Sequence, residues 1–251
     1  MTSRIWSACA DRVAPSPLGG TVLRLVESQE QVATNSLVRT LAEQVLLEEM
    51  LESTKPPLPP EARGLHYLLA TPFRYPPLRH GSRFGRRTEP SLFYGARAVR
   101  PLLAEGAYYR FVFWSGMETP PSGSLNTRHS VFSATIRTAR ALRLQASPFD
   151  EFEPALMDPT SYAATQALGS EMREAGIEAF EFASARDTEG GINVALFTPT
   201  ALASDRPASV IEWLCETRAA AVTYYSREAD ELRQFPLDEF LVGGALPSPA
   251  T

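Results

Sequence analysis

Proline limits the architectures open to this chain more than any other residue. Of 251 residues, 21 are proline. Pro56, Pro57, Pro59 and Pro60 crowd together, and each lacks an N–H and clashes with a preceding turn, so no helix passes through them. Pro72, Pro76 and Pro77 bias the residues before them toward extended backbone, which predicts an extended Phe73–Leu78. Pro101 instead suits the first turn of a helix over Val99–Glu105. The chain is thereby restricted to short elements.

The remaining periodicity agrees. Leu37, Leu41 and Val45 recur at helical spacing, and Thr34-Asn35 offers an N-cap, so an acidic, amphipathic helix is expected to about Leu51, packed on the body of the protein, with a partner-binding helix as the alternative. Gly64 to Leu69 reads as a strand or a short helix, and His80-Gly81-Ser82 as a turn. Strands are expected at Thr21–Val26, Leu92–Gly95, Tyr108–Trp114, Val131–Ile136, Ala141–Leu144, Ile177–Phe182, Ile192–Phe197 and Ala220–Tyr225, with Pro120–Asn126 a loop and Ile211–Cys215 ambiguous. Thr160 or Ser161 caps a helix that Gly176 ends. Many short strands with a few helices indicate an α+β fold.

Composition excludes several functions. Hydrophobic residues at 44% and charged residues at 21% describe an ordinary globule, and a net charge of −5 argues against direct nucleic-acid binding. No run reaches the length of a membrane span and the N-terminus lacks a signal-like apolar segment, so the expected location is cytoplasmic. Lys55 is the only lysine, and it lies in the proline-rich linker, an unsuitable place for Schiff-base chemistry. Cys9 and Cys215 form no paired motif, and His66, His80 and His129 share no metal-ligand spacing, so no metal site is expected. There is no G-x-G-x-x-G fingerprint and no nucleophile elbow.

The chemistry concentrates in Phe73–Glu105. Arg74 and Tyr75 are adjacent, Arg83 follows a Gly-Ser turn, and Tyr94 stands midway between Arg83 and Glu105. A guanidinium holds a phosphate through two parallel hydrogen bonds, a phenol stacks on a flat base, and a carboxylate stabilises a developing cation. Together these groups suit a dinucleotide cleaved at a glycosidic bond.

The ordered motifs Phe73-Arg74-Tyr75, Arg83-Phe84-Gly85, Phe93-Tyr94-Gly95 and Ala104-Glu105, with a later Phe182-Ala183-Ser184-Ala185-Arg186, resemble the RES domain, named for its Arg, Glu and Ser. The resemblance covers roughly residues 60 to 200. It implies an ADP-ribosyltransferase-like core of short twisted β-sheets with flanking helices. It divides the chain into an N-terminal extension with an amphipathic helix (1–60), a RES catalytic domain (61–240) and a flexible tail (241–251). It further implies a toxin that degrades NAD at the nicotinamide–ribose bond by phosphorolysis or, failing that, hydrolysis, with NAD as substrate, inorganic phosphate as the expected co-substrate and no cofactor. Glu105, Arg83 and Tyr94 would be catalytic, and Arg74, Tyr75, Ser184 and Arg186 would bind NAD or phosphate. The partner would be an Xre-like antitoxin, in a homodimer or a toxin–antitoxin hetero-oligomer. Transfer of ADP-ribose to a protein, or a silent NAD-binding module, are the alternatives.

Overall fold

The computed structural model describes residues 4–28 and 38–248. The described residues form an α+β protein with six helices and one mixed, eight-stranded sheet. The helices are α1 (Arg4–Cys9), α2 (Leu41–Thr54), α3 (Tyr67–Arg74), α4 (Val99–Ser115), α5 (Glu153–Leu156) and α6 (Ala163–Glu174). The strands are β1 (Ser16–Glu27), β2 (Phe93–Ala96), β3 (Leu125–Arg143), β4 (Ala179–Ala183), β5 (Ile192–Leu196), β6 (Ser209–Thr217), β7 (Ala221–Ser226) and β8 (Glu231–Pro236). Among the described residues, no helix is long and apolar enough to cross a membrane.

β3 is the spine. One edge pairs antiparallel with β1 from Ser16↔Ala141 to Glu27↔His129; the other pairs first with β6 and then, in parallel, with β4. Because β1 also meets β2 at Leu23↔Ala96, and β2 joins β5 and β4, five strands close on themselves. β6, β7 and β8 extend from β3 as a flange. The 16–27 segment, expected in an N-terminal extension, is therefore an integral strand.

Three apolar clusters set the layers. α6 packs with Phe84, Phe180 and Phe182; α4 packs Leu103, Ala107, Tyr108 and Phe111 on Trp213, Val222 and Phe235 of the flange; and Leu69 and Phe73 of α3 cover Val22, Phe93 and Phe132. Gly169 of α6 is where that helix touches the backbone of Phe84, and an added Cβ would lie 1.9 Å from the Phe84 carbonyl oxygen.

Several sequence expectations are corrected. Tyr108–Trp114 is not a strand but the second half of α4. Leu103, Ala107, Phe111 and Trp114 are buried at spacings of three and four, and this helical period overrides the strand preference of the aromatics. Val131–Ile136 and all but the last residue of Ala141–Leu144 belong to one 19-residue strand, β3, which starts at Leu125, inside the expected loop. Its polar stretch, Arg137–Arg140, masked the continuity. The ambiguous Ile211–Cys215 lies within β6. α3 continues through Pro72 to Arg74, so extended backbone starts at Tyr75. Tyr162 takes the N-cap position of α6, and Ser161 reaches in from outside, its Oγ accepting from the Ala163 N–H.

The proposed cap at Thr34–Asn35 lies outside the described residues. α2 begins instead at a capping box, with Thr40 Oγ1 accepting from the Glu43 N–H and the Glu43 carboxylate accepting from the Thr40 N–H. It is not packed on the domain: none of its residues is buried, and Leu41, Val45, Leu46, Met50 and Leu51 are exposed. The tail expected to fray is held as far as Pro247, whose carbonyl accepts from the buried Tyr108 hydroxyl at 2.8 Å.

Candidate active site

A cleft of about 520 Å³ opens where the closed strands meet α3 and α4. That size is ordinary for a small-molecule site. β1 contributes Arg24, the turn after α3 contributes Ser82 and Arg83, β2 contributes Tyr94, α4 contributes Glu105 and Tyr109, and β5 contributes Asn193. Tyr75, Tyr162 and Phe182 complete an aromatic wall.

Glu105 is the pivot. Its Oε1 accepts from the Ser184 hydroxyl at 2.7 Å and from Asn193 Nδ2 at 3.0 Å. Ser184 is fully buried, and its Oγ also accepts from the Arg186 N–H at 3.2 Å, which aims the hydroxyl proton at Glu105. Both donors fall on one carboxylate oxygen, and Oε2 makes no hydrogen bond to a described residue. The orientation of the carboxylate is thus set by two strands, β4 through the Ser184 turn and β5 through Asn193.

Arg83 is buried. Its Nη1 donates to the carbonyls of Leu156 and Asp158 at 3.3 and 3.1 Å, its guanidinium lies 4.7 Å from the Tyr162 ring centroid, and its Nη2 has no protein partner among the described residues. Tyr94 braces the same turn: its hydroxyl bonds Ser82 Oγ at 2.9 Å and accepts from the Phe84 N–H at 3.0 Å. Burial pushes the phenol up to about 12, so it stays neutral. Desolvation also raises the phenol of Tyr109, though the residue is 42% exposed, and Tyr162 and Glu105 beside it act in the same direction.

Not every expected residue is in the cleft. Arg74 points elsewhere, with Nε donating to the Pro56 carbonyl and Nη1 pairing with Glu52, each at 2.6 Å, because α3 carries it past Pro72 toward the end of α2. Arg186 stacks over the Tyr108 ring at 3.6 Å and donates to the Pro159 carbonyl at 2.8 Å; only its backbone N–H serves the site. Tyr75 lies on the rim, 40% exposed.

Besides Tyr162 of the aromatic wall, three contributors escaped the sequence reading. Arg24 interrupts an apolar strand, Leu23-Arg24-Leu25-Val26. Its Nη1 donates to the Tyr94 carbonyl at 2.6 Å, its guanidinium sits 5.1 Å from the Phe93 ring, and burial lowers it to about 10, which leaves it charged at neutral pH. Asn193 likewise interrupts an apolar strand, where asparagine is disfavoured. A polar residue inside an apolar strand was the available signal in both cases. Tyr109 was hidden by the mistaken strand.

Residues 58–224 match the RES domain, well over half of the chain. The chain belongs to the RES domain family. No curated protein sequence matches it. The RES segment spans Arg83, Tyr94, Glu105, Ser184 and Asn193, whereas Arg24 lies ahead of it on β1.

Proposed function

We propose that this RES protein cleaves NAD at the nicotinamide–ribose bond. The observation that carries the reading is the Glu105 carboxylate, held by Ser184 and Asn193 inside a cleft that also offers two cationic arginines, Arg24 and Arg83. The arginines suit the two phosphates of a dinucleotide, and Tyr75 and Tyr109 offer faces for flat rings. The free oxygen of Glu105 would accept from a ribose hydroxyl and stabilise the oxocarbenium-like transition state as the C–N bond breaks. Nicotinamide leaves neutral because its ring nitrogen starts cationic, so one carboxylate suffices.

Among the described residues lining the cleft, Glu105 is the sole carboxylate, and there is no histidine. Water would need a general base that this lining does not supply. An anionic nucleophile needs none, which favours inorganic phosphate: its oxygen bonds to C1 of the ribose, the bond to nicotinamide breaks, and ADP-ribose 1-phosphate forms. A neutralising antitoxin would be the natural partner of such an activity.

Mass spectrometry of NAD incubated with the full chain, with and without phosphate, tests the reading. Phosphorylated ADP-ribose is the expected product. Glu105→Gln keeps the volume and both donors' acceptor but removes the charge, and turnover should fall a hundredfold to a thousandfold, as for loss of one electrostatic contact of about 3 to 4 kcal/mol. Turnover within threefold of wild type removes Glu105 from the mechanism. ADP-ribose attached to a protein would replace phosphorolysis by transfer.

A further inference from the structure

A second cavity, of about 600 Å³, adjoins the cleft and shares Leu25, Gly106 and Tyr109 with it. Arg110, His129 and Tyr224 line it, and they are only 8, 5 and 0% exposed. Arg110 Nη2 and His129 Nδ1 have no protein partner among the described residues, and the Tyr224 hydroxyl has only the weak contact of the Cys215 thiol beside it. Buried polar groups left unpaired or so poorly paired are uncommon, and three in one cavity ask for a shared ligand.

The donor set defines the ligand's charge. Arg110 is a buried cation whose Nε donates to Thr217 Oγ1 at 3.1 Å. Its one acidic partner is Glu27, at 3.4 Å and with a side chain 56% exposed, too wet and too distant to neutralise it fully. His129 stands in T-shaped contact with Tyr224, 5.7 Å between centroids. Its Nε2 bonds Thr127 Oγ1 at 2.9 Å; when Thr127 donates, Nδ1 carries the proton and becomes a donor. Burial, reinforced by Arg110, lowers His129 to about 4, so it is a neutral donor at physiological pH. One fixed cation and two neutral donors suit an oxyanion.

Gly106 adds an independent observation. It follows Glu105 in the interior of α4, where glycine costs about 1 kcal/mol relative to alanine. A Cβ there would lie 2.7 Å from the Tyr224 hydroxyl and 2.6 Å from Leu25 Cδ2. The missing side chain lets the Tyr224 hydroxyl reach the helix one residue past Glu105.

We propose that the cavity formed by Arg110, Tyr224 and His129 binds a small oxyanion, with inorganic phosphate the relevant one. The expected anchor for phosphate, Arg186, is engaged with Tyr108 and Pro159 and lines neither cavity, whereas Arg110 lines this one and keeps Nη2 without a protein partner among the described residues. Binding is a property of the cavity alone. Its use as the holding place of the nucleophile rests on the phosphorolytic reading.

Calorimetric titration of inorganic phosphate into the full chain without NAD separates the two. Saturable binding is expected, weakened about tenfold by Tyr224→Phe, which removes one hydroxyl and keeps the ring, and about a hundredfold by Arg110→Gln. In NAD turnover, both variants should raise the KM for phosphate and leave the KM for NAD unchanged. No saturable binding, or binding unaltered by Tyr224→Phe, overturns the site, and Tyr224→Phe decides the matter alone should Arg110→Gln fail to fold. Phosphate bound at the cavity with no NAD consumed would uphold the site and overturn the phosphorolytic reading.

Discussion

Tyr94→Phe distinguishes a phenol that takes part in chemistry from one that braces the Arg83 turn. The hydroxyl bonds Ser82 and Phe84, the residues on either side of Arg83, and Phe84 is fully buried. Removing it strands the Phe84 N–H, which costs about 1 to 3 kcal/mol. For a chain of this length that is a fall in Tm of roughly 2 to 4 °C per kcal/mol, or about 4 to 8 °C for a 2 kcal/mol loss. Freed of its brace, Arg83 should bind the substrate's phosphate less well, so the KM for NAD should rise while kcat changes little. An alkaline signature accompanies this. The folded phenol titrates at about 12 and the unfolded one near its ordinary value of about 10. Between those values the unfolded chain has lost its proton and the folded chain has kept it, so stability falls as pH rises, by about 2 to 3 kcal/mol in all. The difference in stability between wild type and Tyr94→Phe should therefore shrink from pH 10 to pH 12. Chemical denaturation across that range, with steady-state kinetics at pH 7.5, measures both effects. An unchanged Tm together with a collapse of kcat would refute the bracing role and return the phenol to the chemistry.

Three further outcomes follow from the geometry. Arg74→Ala should leave the KM for NAD within twofold of wild type, because its guanidinium is engaged with Pro56 and Glu52; a tenfold rise would place it at the substrate. Gly169→Ala should destabilise by about 1 to 3 kcal/mol, seen in urea unfolding, since the new methyl group meets the Phe84 carbonyl and α6 must shift. His129, held at about 4 by burial, is protonated first in the unfolded chain as pH falls below about 6.5, so stability is lost from there down to about 4, by about 3 kcal/mol. His129→Gln should flatten that part of the acid limb in a comparison of denaturation midpoints.

What the sequence offered toward the cleft came mainly from an ordered set of short motifs resembling the RES domain. Arg83 follows Gly81-Ser82, Tyr94 sits in a four-residue strand, and Ser184 follows another, but it was the RES resemblance, not the local pattern, that singled out all three. Glu105 was legible as a carboxylate after an apolar run, although the helix holding it is more than twice the expected length. What local pattern does not carry is which side chains a closed sheet turns inward. Arg24 and Asn193 meet Arg83 and Glu105 only because β1 and β5 are brought round on either side of β2. Arg74 misled for the complementary reason: its motif is local, but its direction is set by α3 running through Pro72. The unpacked state of α2 was equally out of reach, since its leucines look the same in sequence whether covered or bare.

The pairing of β1 with β3 also sets an order of events for the growing chain. The strand Ser16–Glu27 has for its main partner a segment that begins at Leu125, about a hundred residues later. A ribosome adds roughly 5 to 20 residues per second, so β1 waits on the order of five to twenty seconds before Arg143 is even polymerised. During that time it is an unpaired edge rich in valine and leucine, open to association with other chains. Arg24, in the middle of this strand, places a charge where such an edge would otherwise be continuously apolar. The loop that β1 and β3 enclose is long, and long-range pairings of this kind make folding slow. The cleft consequently forms late: Arg24 reaches Arg83 and Glu105 only after most of the chain has been synthesised, so no early fragment can assemble the complete site.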